Sequence, residues 1–283
     1  LSAYERAGGR YIDTADIYGG GAAEEWIGDW LAERDRERFT IASKIYWQTR
    51  DGDPNSRGTN RKNLRHRVDA LLDRLDTDYV DVLYIHRWDD ATSARELMKT
   101  LNGLVEAGKV HYLGASTLRP NASKANQIAL AKGWEPFTVL QPRYNLVDRE
   151  IEGDYLELAR MEDLAVCPWS PLGQGFLTGK YSREEGLTGE SLAAGSDRFR
   201  ENYLTDPNFD LHEELDAVAA EVGATPAQTA LAWLMHRDGV TAPIVGARTV
   251  DQLEENLAAA TVSLSQDQVD RLTAAKAGPY DGL

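Results

Sequence analysis

Seven short apolar segments alternate with amphipathic helical segments along the chain, and this alternation restricts the fold more than any other feature. The apolar segments are nearly continuous, which is typical of strands buried on both faces of a parallel sheet. They lie at Arg10–Asp13, Phe39–Ser43, Val80–His86, Val110–Ala115, Phe137–Gln141, Leu164–Trp169 and Ala242–Val245. Parallel strands joined by helices indicate an α/β fold, and the length and regularity of the pattern predict a (β/α)8 TIM barrel rather than an open sheet.

The intervening segments carry helix-start signals as well as helical periodicity. Asn60 precedes an apolar stripe that ends at Leu75, and it is placed to cap that helix. Thr249 and Gln252 have the spacing of a capping box, which predicts a helix over Val250–Ala260. In contrast, Gly173–Asn208 is rich in Gly, Ser and charged residues, so we expect a long loop there.

Seven strands are one fewer than an eight-stranded barrel requires. Because residues Leu1–Gly9 already have a helical pattern, we expect the first strand to precede residue 1. The 283 residues suit one barrel, so a single domain over residues 1–283 is predicted.

The charge balance and the cysteine content restrict partners and compartment. A net charge of −15 repels phosphate backbones, so nucleic-acid binding is not expected. The only cysteine, Cys167, excludes an internal disulfide, and no apolar run is long enough for a membrane span. A cytoplasmic protein is therefore predicted. The acidic surface suits a high-salt cytoplasm, and an acidic proteome encoded by a GC-rich genome explains it equally well.

Four chemically complementary side chains follow successive strands, where the reacting groups of a TIM barrel lie. They are Asp13, Tyr18, Lys44 and His86. A tyrosine is a poor acid at neutral pH, but a neighbouring ammonium favours the phenolate and eases proton donation. A carboxylate can hold that ammonium in place, and a neutral histidine can hydrogen-bond a carbonyl oxygen while charge develops on it. Each residue alone is weak evidence, but their joint position predicts an active site.

A second candidate site lies near the end of the chain. Gly246, Ala247 and Arg248 precede a predicted helix, so backbone N–H groups, a helix dipole and a guanidinium could hold a phosphate there. Taken alone, this segment is also explained by an ordinary turn with a solvated arginine. The glycine fingerprint of a Rossmann dinucleotide site is absent, and the five histidines lack metal-ligand spacing, so no metal is predicted.

Six motifs, in this order, resemble those of the aldo-keto reductases. They span Tyr11–Gly19, Tyr84–Asp89, Gly108–Ser116, Gln141–Asn145, Trp169–Gly173 and Gly246–Asn256. The resemblance covers essentially the whole chain and implies a catalytic tetrad of Asp13, Tyr18, Lys44 and His86, with Tyr18 as general acid. It also implies an N-terminal hairpin and a first strand upstream of residue 1.

The same resemblance implies NADP(H) as the cofactor. Arg248, Gln252 and Asn256 would hold the 2′-phosphate, Trp169 would stack on the nicotinamide, and Ser116 and Gln141 would hold its carboxamide. Many family members have Asn where this chain has Thr117, which has a single hydroxyl for the same contact. The implied cofactor residues are Ser116, Thr117, Gln141, Trp169, Ser170, Leu172, Gly246, Ala247, Arg248, Gln252, Glu255 and Asn256.

The predicted function is reduction of an aldehyde or ketone to an alcohol by hydride transfer from NADPH. Some relatives of this family are non-catalytic, NADP(H)-binding regulatory subunits of membrane channels, and that alternative stays open. A lyase or isomerase that uses Lys44 as a Schiff-base amine is a further alternative. Trp47 and Trp88 suggest an aromatic-lined pocket for a small-molecule carbonyl substrate, although surface packing explains them nearly as well. Neither the physiological substrate nor the oligomeric state follows from the sequence.

Overall fold

A computed structural model describes residues 1–116, 121–183 and 196–276 of the chain. The polypeptide forms two compact units. The first comprises Leu1–Gln141 and Glu162–Leu164, and the second comprises Pro142–Met161 and Ala165–Leu283.

Five parallel strands run through the first unit in chain order. They are β1 (Tyr11–Asp13), β2 (Thr40–Ile45), β3 (Val80–Ile85), β4 (Val110–Ser116) and β5 (Phe137–Gln141). Their side chains are largely buried, as the continuous apolar runs predicted. The structure thus confirms an α/β fold with parallel strands, whereas the closed eight-stranded barrel remains a prediction.

Helices alternate with the strands of the first unit, and two of them begin at side-chain caps, Asn60 and Ser93. The helices are α1 (Ser2–Arg6), α2 (Ala22–Leu31), α3 (Arg61–Leu75), α4 (Ala94–Glu106) and α5 (Asn121–Lys132). The cap predicted at Asn60 is confirmed, since its Oδ1 accepts from Asn63 N at 3.0 Å. Helix α2 packs closely on the end of α3, where a Cβ at Gly28 would lie 2.6 Å from the carbonyl oxygen of Arg74.

The second unit is mainly helical in its described part. Its elements are α6 (Asp154–Met161), β6 (Ala165–Val166), α7 (Asp197–Tyr203), α8 (Asp206–Val222), α9 (Pro226–Met235), α10 (Val250–Ala258) and α11 (Gln266–Ala274). Phe176 lies at the centre of an aromatic cluster in this unit, 5.8 Å from the ring of Tyr203 and 5.8 Å from that of Phe209. None of the helices described in either unit is long and apolar enough to cross a membrane.

Two predictions for this unit are wrong in part. The segment Ala242–Val245 is not a strand, although Thr241 N bonds Val166 O and Ile244 N bonds Pro168 O, both at 2.8 Å. Proline has no N–H, so Pro168 and Pro243 each remove a donor that a regular ladder needs.

The predicted long loop also contains regular structure. A 3-10 turn covers Gly173–Thr178, helix α7 follows, and α8 has already begun at Asp206. Residues 184–195 of this stretch lie outside the described part. Ser196 caps α7 by accepting from Phe199 N, a signal that the sequence contained but that the Gly-rich composition around it concealed.

Candidate active site

The four predicted catalytic residues lie at the carboxyl ends of adjacent strands. Asp13 ends β1, Lys44 is the penultimate residue of β2, and His86 directly follows β3. Tyr18 begins a 3-10 turn just after β1. The parallel register brings them to one edge, because Asp13 pairs with Ala42 two residues before Lys44 in β2, and Ile45 pairs with Ile85 just before His86. The structure therefore brings together all four side chains.

The Lys44 ammonium is the centre of this group. Its Nζ forms an ion pair with Asp13, donates to Thr14 O at 2.8 Å and lies 3.5 Å from Tyr18 Oη. The lysine side chain is almost wholly buried, with 1% of its surface exposed. A nitrogen that donates to three oxygens has no free lone pair, so this geometry does not favour Lys44 as a Schiff-base nucleophile.

Tyr18 is accessible, whereas Lys44 is not. Tyr18 is 41% exposed, so its hydroxyl, which lies next to the Lys44 ammonium, can also contact a ligand. Successive glycines make this placement possible, because Gly19 and Gly20 have φ of 60° and 69° in the turn that follows. The chain can therefore reverse immediately after Tyr18 and begin α2.

His86 packs edge-on against Tyr18, with ring centroids 6.2 Å apart. Burial lowers the pKa of His86 to about 4, and the positive charges of Lys44 and Arg67 add to this shift. The imidazole is therefore neutral near pH 7. Its Nδ1 is buried and has no hydrogen-bond partner among the described residues. A neutral imidazole at this position can hydrogen-bond a carbonyl oxygen.

Gln141 and Ser116 lie in the same unit as the tetrad. Gln141 Nε2 donates to Asp13 Oδ1 at 2.8 Å, and Ser116 Oγ donates to the main-chain oxygen of Gln141 at 3.0 Å. One of the two N–H donors of the Gln141 amide is thus bonded to Asp13. Thr117, the third residue of this predicted group, lies outside the described residues.

A buried network of charges lies behind Tyr18 and was not predicted from the sequence. Asp16 pairs with Arg67, and both side chains are at least 95% buried. Glu24 accepts from Ser43 Oγ at 2.5 Å and from Arg74 Nε at 2.8 Å. Burial raises the pKa of Asp16 to about 7 despite the opposing charge of Arg67. The only available signal was a charged residue on the apolar face of α3.

A cavity of about 620 Å³ lies within the second unit. Seven of the predicted cofactor residues line it: Ser170, Leu172, Gly246, Arg248, Gln252, Glu255 and Asn256. The predicted residues Trp169 and Ala247 do not. Further lining residues were missed by the sequence analysis, notably Gln174, Thr178, Lys180 and Ser196. They belong to the stretch interpreted as a loop, where no periodicity singled them out.

Two cations face this cavity. Burial lowers the pKa of Lys180, and the nearby charge of Arg248 lowers it further. Like charges brought together around a concave surface favour a bound anion. Glu255 supplies one opposing carboxylate.

Helix α10 begins at the rim of the cavity, with a modified cap. Thr249 Oγ1 accepts from Gln252 N at 3.2 Å, as predicted. The reciprocal bond of a capping box is absent from the described contacts, because Gln252 Oε1 accepts from Arg248 N at 3.0 Å instead. The predicted capping box is therefore half formed, and Gln252 orients the Arg248 backbone.

Trp169 lies next to a cation in the second unit. The Arg143 guanidinium lies 5.6 Å from the Trp169 ring centroid and 5.4 Å from that of Tyr203. The next residue, Ser170, has φ of 57°, and its carbonyl oxygen accepts from Asn145 Nδ2 at 2.9 Å. The Ser170 hydroxyl is buried and has no partner among the described residues, which leaves it available to a ligand.

These features are those of an α/β enzyme: a cluster of ionisable side chains at adjacent strand ends, and a cavity lined by two cations next to the start of a helix. Residues 1–277 match the model of the Aldo/keto reductase family, and the chain belongs to that family. It is therefore an oxidoreductase.

Fungal proteins are among the similar relatives. A norsolorinic acid reductase of Aspergillus flavus is 34% identical over 99% of this chain and 71% of its own length. A norsolorinic acid reductase of Emericella nidulans is 35% identical over 95% of this chain and 69% of its own length. A probable aryl-alcohol dehydrogenase of Saccharomyces cerevisiae is 34% identical over 96% of this chain and 85% of its own length.

Proposed function

We propose that this protein is an NADP(H)-dependent reductase of aldehyde or ketone carbonyls, with Tyr18 as the general acid. The observation that carries the proposal is the contact of buried Lys44 with both Asp13 and the accessible Tyr18 hydroxyl. The four-residue arrangement fits acid–base chemistry on a carbonyl oxygen.

The second unit supports NADP(H) as the cofactor. Lys180 and Arg248 line a concave, partly buried surface together with Gln252 and Asn256, a donor set suited to a phosphate group. The preference for NADP(H) over NAD(H) rests on Arg248 and Lys180, since a 2′-phosphate adds two negative charges for them to meet. Trp169 would stack on the nicotinamide, with Ser170 as a neighbouring hydrogen-bond donor.

The proposed mechanism assigns one role to each residue of the tetrad. When bound, NADPH supplies the hydride that reduces the carbonyl carbon. Tyr18 donates its phenolic proton to the carbonyl oxygen, which becomes the alcohol hydroxyl. Lys44 stabilises the phenolate that remains, and Asp13 keeps Lys44 in position. His86, being neutral, donates a hydrogen bond to the same oxygen as charge develops there. Solvent returns the proton to the exposed Tyr18.

Aromatic carbonyl compounds are the substrate class that we propose. The ring centroid of Trp47 lies 6.3 Å from that of His86 and 5.2 Å from that of Tyr46. Aromatic rings therefore border the tetrad on the side of His86. The names of the similar fungal proteins, aryl-alcohol dehydrogenase and norsolorinic acid reductase, agree with a ring-bearing substrate. The aromatic surface predicted from Trp47 thus gains support from its contacts.

The first test follows NADPH absorbance with 4-nitrobenzaldehyde and compares the wild type with Tyr18→Phe. We expect turnover in the wild type, a loss of at least two orders of magnitude in kcat for the variant, and unchanged NADPH binding. If NADPH binds but neither 4-nitrobenzaldehyde nor any other aldehyde or ketone tested is reduced, the result would instead support the non-catalytic, regulatory alternative. Failure to bind NADPH would overturn the cofactor assignment.

A further inference from the structure

Two guanidiniums lie on the aromatic rings that border the tetrad. Arg87 lies 5.7 Å from the ring centroid of Trp47, and Arg57 lies 5.6 Å from that of Tyr46. The ring centroid of His86 lies 6.2 Å from that of Tyr18 and 6.3 Å from that of Trp47. Arg87 contacts the far end of this series, at Trp47. A positive charge therefore lies just beyond the aromatic surface that would hold the ring of a substrate.

Neither guanidinium is neutralised by an ion pair within residues 1–116, 121–183 and 196–276. Among the described residues, Arg57 donates to Tyr46 Oη at 3.3 Å, and Arg87 contacts the Trp47 ring without a hydrogen bond or ion pair. Both side chains are exposed. Several other arginines of the first unit, such as Arg34, Arg36 and Arg74, do pair with carboxylates. Both guanidiniums lie over rings that adjoin the tetrad, so they can meet the negative charge of a ligand bound there.

Asp89 is the carboxylate closest in sequence to Arg87, and its oxygens are already occupied. It accepts from Thr59 N at 2.9 Å, Ala91 N at 3.1 Å and Thr92 Oγ1 at 2.8 Å. These bonds hold the turn that follows Asp89 and join it to the segment that carries Thr59. The carboxylate contributes some attraction to Arg57 without forming an ion pair with it.

From this arrangement we infer that the preferred substrates are aromatic carbonyl compounds that carry a carboxylate on the ring, with Arg87 as the residue that recognises it. This inference rests on the proposed reductase function. The ring lies against Trp47, the carbonyl oxygen meets Tyr18 and His86, and the carboxylate meets the guanidinium of Arg87, with Arg57 adding positive charge nearby. A guanidinium in a cation–π contact with an indole still has N–H groups that can donate to a carboxylate.

The test uses two aldehydes of matched shape, 4-formylbenzoate and its neutral methyl ester, with saturating NADPH. The wild type should have a higher kcat/KM for the carboxylate than for the ester. Arg87→Gln should reduce that preference about tenfold, the value expected for loss of one charge-assisted hydrogen bond. Arg65→Gln is the matched control, because Arg65 is equally exposed but lies on α3 outside this ring set. It should leave the preference unchanged.

Salt provides an independent readout, since KCl screens exposed charges. Raising KCl from about 0.05 to 0.5 M should weaken the wild-type preference for the carboxylate and have little effect on the preference of Arg87→Gln. This inference would be overturned if the ester is reduced as efficiently as the carboxylate, or if Arg87→Gln retains the preference for the carboxylate. Either result would leave the proposed reductase function standing. Absence of turnover for both aldehydes, with NADPH bound, would overturn the reductase proposal and this inference with it.

Discussion

Arg67 and Asp16 form an ion pair that joins helix α3 to the turn carrying Tyr18, and both side chains are buried. Arg67 also donates to the carbonyl oxygens of Trp47 and Ser56. One guanidinium therefore ties three segments together: the turn after β1, the segment after β2 that carries Trp47, and α3. Its charge also helps to keep His86 neutral.

Arg67→Met should destabilise the protein at pH 8, where Asp16 is mostly ionised. The variant leaves a buried carboxylate without its partner, which costs about 3–5 kcal/mol of unfolding free energy. Urea unfolding measures the change. Arg65→Met, an exposed change on the same helix, should stay within about 0.5 kcal/mol of the wild type. Equal effects at the two positions would contradict the assigned role of Arg67.

Asp16→Asn should change the pH dependence of stability. The folded pKa of Asp16 is about 7, above the ordinary value of an aspartate, so the folded state binds the extra proton between about pH 4 and 7. The contribution of this group to stability is therefore present at low pH and is lost as the pH rises to 7. In Asp16→Asn, the unfolding free energy does not decrease in this way between pH 4 and 7, because the amide does not ionise.

The measurement is urea unfolding of both proteins from pH 4 to pH 8.5. The unfolding free energy of the variant, relative to the wild type, should increase on the order of 2–4 kcal/mol between pH 4 and 7 and then become constant. A difference that does not vary with pH would show that Asp16 ionises normally.

His86 should remain neutral until well below physiological pH. Because its folded pKa is about 4, the stability from the neutral imidazole is present above about pH 6.5 and is lost as the pH falls towards 4. An NMR titration of the imidazole Cε1–H signals, with His86→Gln to assign the resonance, should give a midpoint near 4. A midpoint near 6.5 would remove the argument for a neutral hydrogen-bond donor beside Tyr18.

Lys180 and Arg248 should contribute together to NADPH affinity. We expect Lys180→Gln and Arg248→Gln each to raise the Kd for NADPH about tenfold, with a smaller effect of Arg248→Gln on NADH. Fluorescence titration with both cofactors measures this. Arg160→Gln, an exposed change on α6, serves as the control and should leave both Kd values unchanged. If Arg248→Gln leaves the NADPH preference unchanged, the 2′-phosphate assignment is wrong.

Local sequence patterns determined the parts of this protein that depend on neighbours in the chain. The apolar runs located β1 to β5 within two residues at either end, and Asn60 marked the start of α3. Since a residue at the end of one parallel strand must lie beside the end of the next, strand positions alone brought Asp13, Lys44 and His86 together.

Only the tertiary structure decided which distant charges meet. Arg67 is a charged residue on the apolar face of α3, but its pairing with Asp16 depends on how α3 packs against the turn at Tyr18. Lys180 and Arg248 are far apart in the sequence, and only the folded chain brings both to one cavity. Ala242–Val245 has the composition of a strand, but prolines within it and in its partner segment remove the donors that a ladder needs. Composition and spacing describe local backbone preferences, whereas these contacts arise from long-range packing, which no local pattern records.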